Sequence, residues 1–99
     1  MESIKKRLWS VFTDDMDSCY FTGASRVERH HIFGGSYKKA SEKRGFVIPL
    51  RPDLHPNGVF FDKRYKDLDS RLKEMAQAYY ESHYGTREDF IAEFGKSRL

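Results

Sequence analysis

The chain has a single cysteine, Cys19, so it can form no internal disulfide. A lone thiol suits a reducing compartment and excludes the disulfide-stapled secreted class. No apolar run approaches the ~20 residues that span a bilayer. The opening stretch MESIKKRLWSVF has neither a sustained apolar segment nor a small-residue cleavage site, so no secretory signal is expected. Repeats, low-complexity tracts and linkers are also missing. The 99 residues therefore read as one domain, 1–99, of a cytoplasmic protein. So short a chain has little core to build with, and an aromatic share of 15% supplies bulky pieces for it.

Charge of one sign is scarce overall, with a net value of only +3. Its distribution is uneven. Residues 1–25 and 52–99 are each net −1, whereas residues 26–51 carry seven bases against Glu28 and Glu42, net +5. The bases are Arg26, Arg29, Lys38, Lys39, Lys43, Arg44 and Arg51. A local excess of this kind attracts phosphate backbones. A solvated lysine-rich loop would give the same composition.

Periodicity outlines an α+β arrangement: helix, strand, loop, strand, turn, helix, helix. Ile4, Leu8 and Val11, widened by Trp9 and Phe12, predict an amphipathic helix over 2–12. Loose alternation predicts a strand over 26–33, and FVIPL predicts a second over 46–50, with Pro49 placing its end at an edge or bulge. Between them GGSYKKASEKRG reads as a loop, polar and closed by glycines. Leu68, Leu72, Met75 and Tyr79, flanked by Ala76, Tyr80 and His83, predict a helix from about 66 to 84. Core packing is the expected use of Tyr79, Tyr80 and Tyr84. Thr86, as N-cap ahead of Glu88 and Asp89, opens a last short helix that buries Phe90, Ile91 and Phe94.

The stretch RVERHHIFGG places two of the four histidines, His30 and His31, side by side in the basic segment. Strand neighbours point to opposite faces, so the two rings suit different tasks. One imidazole can bind a metal while the other takes a proton from water near neutral pH. A second ligand must come from elsewhere, and His55 in the proline-bounded turn RPDLHPNG is the candidate. His83 sits on a helix flank among tyrosines and reads as structural. Asn57 fits an Asn-Gly turn better than a metal, and Asp62 is left out of the ligand set as well.

VERHHIFGG, then FVIPL, then RPDLHPNG resembles the HNH (ββα-metal) endonuclease motif, above all its small phage- and prophage-encoded forms. The resemblance spans roughly residues 19–62. It implies a ββα-metal, treble-clef-like core, with the N-terminal helix and two C-terminal helices (about 66–95) as additions. It also implies hydrolysis of DNA phosphodiester bonds. His30 would then be a metal ligand, His31 the general base and His55 the second protein ligand. Arg29, Lys38, Lys39, Lys43, Arg44 and Arg51 would hold flanking phosphates without reading sequence. One divalent ion is implied. Phosphate and water oxygens favour Mg²⁺, and two imidazoles also allow Mn²⁺, Ni²⁺ or Zn²⁺.

The chain departs from the family pattern in two places. Phe46 stands where the family's central asparagine braces the loop. Of the two cysteine pairs that hold a structural zinc in many members, only Cys19 is kept; Thr22, Arg51 and Leu54 occupy the other positions. No structural zinc is therefore expected. Packing by Tyr20, Phe21 and Leu54 should replace it, with Cys19 a core residue. These losses keep an alternative open: a catalytically degenerate HNH-fold phage protein that binds nucleic acid or a host protein. A purely structural protein with incidental histidines ranks behind both. A homodimer or an accessory phage or host protein would help so small a unit grip a duplex.

Overall fold

The computed structural model describes residues 8–54 and 67–99. Strand β1, Glu28–His31, pairs antiparallel with β2, Val47–Leu50. His30 lies opposite Ile48, and His31 opposite Val47. Every residue of β2 is buried, as its unbroken apolar run requires, whereas β1 begins exposed and becomes buried at His30. The pairing continues past the strands through Ile32 N–H, which donates to Phe46 O at 2.9 Å. Pro49 has no N–H to give. Its carbonyl accepts from Tyr20 N at 2.9 Å, so the turn around Cys19 covers that side of β2.

The connection between the strands is not the loop that its composition suggests. A 3₁₀ turn at Gly35–Tyr37 runs into helix α1, Lys38–Arg44. KKASEKR is made almost wholly of good helix formers. Gly45 ends the helix at φ +75°, and its N–H returns to the carbonyls of Ser41 and Glu42. One side of α1 is tied to the segment that follows β1. Ser41 Oγ accepts from Phe33 N at 3.1 Å and donates to Phe33 O at 2.8 Å.

The expected N-terminal helix is also corrected over its described part, because residues 8–12 are irregular. Two donors that a helix would use are taken elsewhere. Val11 N–H donates to Gly45 O at 2.9 Å, and Phe12 N–H donates to Ser10 Oγ at 3.0 Å. Residues 2–7 of that expectation lie outside the described residues.

Helices α2, Leu68–His83, and α3, Arg87–Phe94, form as expected within two residues at each end. The buried stripe of α2 is Leu68, Leu72, Ala76 and Tyr80, at strict four-residue steps; Met75 and Tyr79 are only half-buried. Helix α3 begins with a capping box. Thr86 Oγ1 accepts from Asp89 N at 3.1 Å, and Asp89 Oδ2 accepts from Thr86 N at 2.9 Å. Phe90 and Phe94 are its buried residues, while Ile91 is exposed.

These elements close on an aromatic core. Phe33 meets Phe94 at 4.5 Å and Phe90 at 5.6 Å between ring centroids, and Phe46 meets Phe94 at 5.7 Å. Tyr80 meets Phe90 edge-on at 5.4 Å. A buried aromatic of this size contributes about 1.5–3 kcal/mol, so the rings that α3 brings to the sheet hold β1, β2 and α2 together. The outcome is an α+β fold whose small sheet carries the histidine pair at one end. No helix among the described residues is long and apolar enough to cross a membrane.

Candidate active site

The histidine pair sits at the end of β1, where alternation sends the two rings different ways. His31 turns toward α1. Its Nε2 lies 2.8 Å from Glu42 Oε2, with both side chains largely but not fully buried. A carboxylate only accepts, so the proton of a neutral His31 resides on Nε2. Nδ1 is then the basic nitrogen, and no described residue donates to it. Glu42 owes its place to α1. The clamp from Ser41 to Phe33 fixes the helix against the strand one residue earlier.

His30 is buried, 8% exposed, and faces the start of α2. Its Nε2 is 3.9 Å from Asp69 Oδ1. Asp69 also pairs one turn along the helix with Lys73, whose Nζ is 2.7 Å from Oδ2. Both histidines line one open cleft of about 390 Å³, together with Tyr37, Asp69, Lys73 and Arg98. Adjacent residues on a strand thus reach the same cavity because it lies beyond the strand end, where the pleat no longer separates their faces.

The six cations expected on phosphates divide evenly. Lys38, Lys39 and Lys43 are exposed along α1. The three arginines are engaged by carboxylates of the chain itself. Arg29 Nη2 is 2.9 Å from Asp17 Oδ1 in an exposed pair. Arg51 forms two bonds to Asp53, at 2.5 and 2.7 Å. Arg44 grips Glu93 through Nε and Nη2, at 2.9 and 2.5 Å. It also lies over the rings of Tyr80 and Tyr84 at 5.4 and 4.9 Å. Hydrogen bonding to Glu93 raises the Arg44 pKa. The Arg44 guanidinium holds the Glu93 carboxyl below its usual range. Burial and the bond to Glu93 push the Tyr80 hydroxyl up to about 12. Arg44 is therefore a strut between α1 and α3.

His55 lies outside the described residues. Among the described residues, no group of three or more His, Cys, Asp or Glu is placed to hold a metal ion. His30 and Asp69 nevertheless offer an imidazole nitrogen and a hard oxygen, the donor types that Mg²⁺, Mn²⁺, Ni²⁺ and Zn²⁺ accept. At 3.9 Å they are within reach of a single ion bonded at about 2.0–2.2 Å to each.

The turn where the family carries its zinc cysteines is held by hydrogen bonds. Cys19 N–H donates to Ala24 O at 2.8 Å, and Gly23 N–H returns to Cys19 O at 2.9 Å. Burial raises the Cys19 pKa, but bonds from the Thr22 side chain and from the backbone of Arg51, Phe21 and Thr22 outweigh it, so the thiol ends below its ordinary value. Leu54 packs into the core as expected. Tyr20 and Phe21 do not. They stand 40% and 45% exposed and stack edge-on against each other at 5.1 Å, because the turn that reaches Pro49 leaves their side chains on its outer surface. His83, read as structural, stacks on Tyr79 at 4.0 Å, and its Nδ1 contacts Tyr79 O at 3.1 Å.

Sequence reasoning missed Glu42, Asp69, Lys73 and Arg98. Glu42 counted only as an acid diluting the basic segment. Recognising KKASEKR as a helix would have placed it on a face near the strand. Asp69 and Lys73 carry a four-residue helical spacing but nothing that ties them to His30. Arg98 has no local signal at all.

No family model matches this chain, and neither does any curated protein or solved structure.

Proposed function

We propose that this protein is a metal-dependent endonuclease of the HNH (ββα-metal) type that hydrolyses DNA phosphodiester bonds in a bacterial cell, encoded by a phage or prophage. The observation that carries the reading is the 2.8 Å contact of His31 with Glu42 beside the buried, carboxylate-facing His30. In this reading β1 and β2 are the two strands of the ββα unit, the unit extends to about residue 62, and α2 and α3 are additions to it.

His31 is the general base. Glu42 holds the Nε2 proton and stabilises the imidazolium that forms when Nδ1 takes a proton from water. His30 and Asp69 would supply protein donors to one divalent ion, and His55 would be the further ligand that the motif implies. A bound cation supplies charge neutralisation at the scissile phosphate and the departing 3′ oxygen. Lys38, Lys39 and Lys43 steer the backbone electrostatically without reading bases. Arg29, Arg44 and Arg51 contribute less, since each already neutralises a carboxylate.

Phe46 gives the binding-protein alternative its footing. It is fully buried in the aromatic core, so it braces the connection by packing and cannot supply an amide hydrogen bond. Plasmid nicking with Mg²⁺, Mn²⁺ or Ni²⁺ separates the two. The nuclease nicks with at least one of them, loses activity in EDTA, and drops about 10²–10⁴-fold in His31→Ala. A folded wild type that binds DNA and nicks with none of the three ions makes the alternative the correct reading. Calorimetric titration of Mn²⁺ into wild type, His30→Ala and His55→Ala tests the ligand set directly.

A further inference from the structure

The C-terminal residues carry an arginine that the fold places and does not use. Gln77 on α2 is fully buried although polar. Its Oε1 accepts from Arg98 N at 2.5 Å, and its Nε2 donates to Ser97 Oγ at 3.0 Å and to Glu81 Oε2 at 2.8 Å. The backbone at 97–98 is thereby pinned to the middle of a core helix. From there the Arg98 side chain enters the cleft that His30 and His31 line. Its Nε is buried without a hydrogen-bond partner, and its guanidinium makes no ion pair with a described residue.

Buried polar nitrogens are nearly always partnered, so an unpartnered Arg98 Nε on a pinned backbone calls for an explanation. Among the described residues Asp69 is the only carboxylate lining this cleft, and Lys73 already holds it. Among the described residues no carboxylate is therefore left to neutralise Arg98, whose positive charge faces the histidine pair. A guanidinium presents a planar fork of donors that matches two oxygens of one phosphate. Arg29, Arg51 and Arg44 lack this freedom, being bound to Asp17, Asp53 and Glu93.

We infer that Arg98 forms the anion subsite of this cleft, holding a backbone phosphate of the nucleic acid beside His30 and His31. The inference rests on the nuclease reading for the identity of the ligand, but the subsite itself is testable without catalysis. Arg98 would be a positioning residue, selecting a phosphate rather than a base. Only its side chain is exposed to change, since the bond to Gln77 comes from the backbone N–H and survives substitution.

The test uses metal-free full-length protein titrated with inorganic phosphate, then with a (dT)₁₂ oligonucleotide. The Arg98 side-chain N–H and the His30 and His31 ring signals are followed by NMR. The inference expects saturable shifts of all three and at least a fivefold loss of phosphate affinity in Arg98→Gln. Arg98→Lys should recover part of it. Lys96→Gln, an equal change of charge at an exposed neighbour, should leave affinity unaltered. An Arg98 signal that phosphate does not move, or equal affinity in folded Arg98→Gln, overturns the subsite. Phosphate binding that depends on Arg98 in a protein that nicks no DNA upholds the subsite while removing the nuclease reading. In an active nuclease, Arg98→Gln should raise KM for plasmid by more than it lowers kcat.

Discussion

Glu42 on α1 reaches back across the strand connection to hold His31 Nε2 at 2.8 Å. The contact joins two segments that composition alone would separate into a strand and a solvated loop. Glu42→Ala removes the orienting partner and frees the ring to adopt either tautomer. If the nuclease reading holds, the plasmid-nicking rate should fall about 10–100-fold, the usual effect of losing a partner behind a functional histidine. Glu42→Asp, with a shorter reach, should fall between that variant and wild type. Unchanged circular dichroism in both separates this loss from unfolding. Wild-type activity in Glu42→Ala would remove Glu42 from the mechanism.

Arg44, Glu93 and Tyr80 form a closed unit between α1, α3 and α2, with Tyr80 Oη donating to Glu93 Oε2 at 2.6 Å. Its two titrating members give stability opposite dependences on pH. Glu93 has a lowered carboxyl pKa in the folded chain, chiefly from the Arg44 hydrogen bond. Its contribution is therefore present above the ordinary value of 4.5 and lost as pH falls through the lower folded value. Tyr80 is raised from 10.0 to about 12, so its contribution is intact below pH 10 and disappears as pH rises through about 12. Urea midpoints across pH should fall at both ends. Glu93→Gln should flatten the acid side and cost about 1–3 kcal/mol at pH 7, because a charge-assisted bond is lost at a half-buried arginine.

Gln77→Ala cuts the bonds that pin residues 97 and 98 and leaves Arg98 N–H without its acceptor. A loss of about 1–3 kcal/mol is expected. Carboxypeptidase should release the C-terminal residues faster than from wild type. If the subsite assignment holds, phosphate affinity should fall with it, although Gln77 does not line the cleft.

The parts of this fold that sequence reveals are those whose pattern is local. FVIPL reads as a buried strand because a two-sided apolar run has few other uses, and α3 reads clearly because Thr86 and Asp89 form its cap three residues apart. The connection over 34–45 misled because glycine and lysine content argue for a loop, while KKASEKR has enough intrinsic helicity to form α1 once Ser41 anchors it to Phe33. The site follows the same division. His30 and His31 declare themselves as a dipeptide. Glu42, Asp69 and Arg98 reach them through tertiary folding, at separations with no periodicity to detect. The ion pairs of the arginines are hidden for a related reason: charge counts do not show which cations the chain's own carboxylates will take, and Glu93 lies 49 residues from Arg44.

Gly45 offers a test of how firmly the N-terminal stretch is docked on that connection. At φ +75° its conformation disfavours any side chain, and an added Cβ would lie 2.6 and 2.8 Å from ring carbons of Trp9 and 2.8 Å from Val11 Cγ1. The same glycine accepts the Val11 N–H bond that draws residues 8–12 away from helix. Gly45→Ala combines left-handed strain of about 1 kcal/mol with overpacking of about 1–3 kcal/mol. Trp9 is 44% exposed, so the strain is most easily relieved by displacing its ring outward. Thermal unfolding should therefore show a Tm loss of roughly 8–20 °C. Trp9 is the chain's single tryptophan, and its fluorescence should shift to the red before global unfolding begins. Equal stability without a spectral shift would mean that the Trp9 ring is not seated on Gly45 in solution.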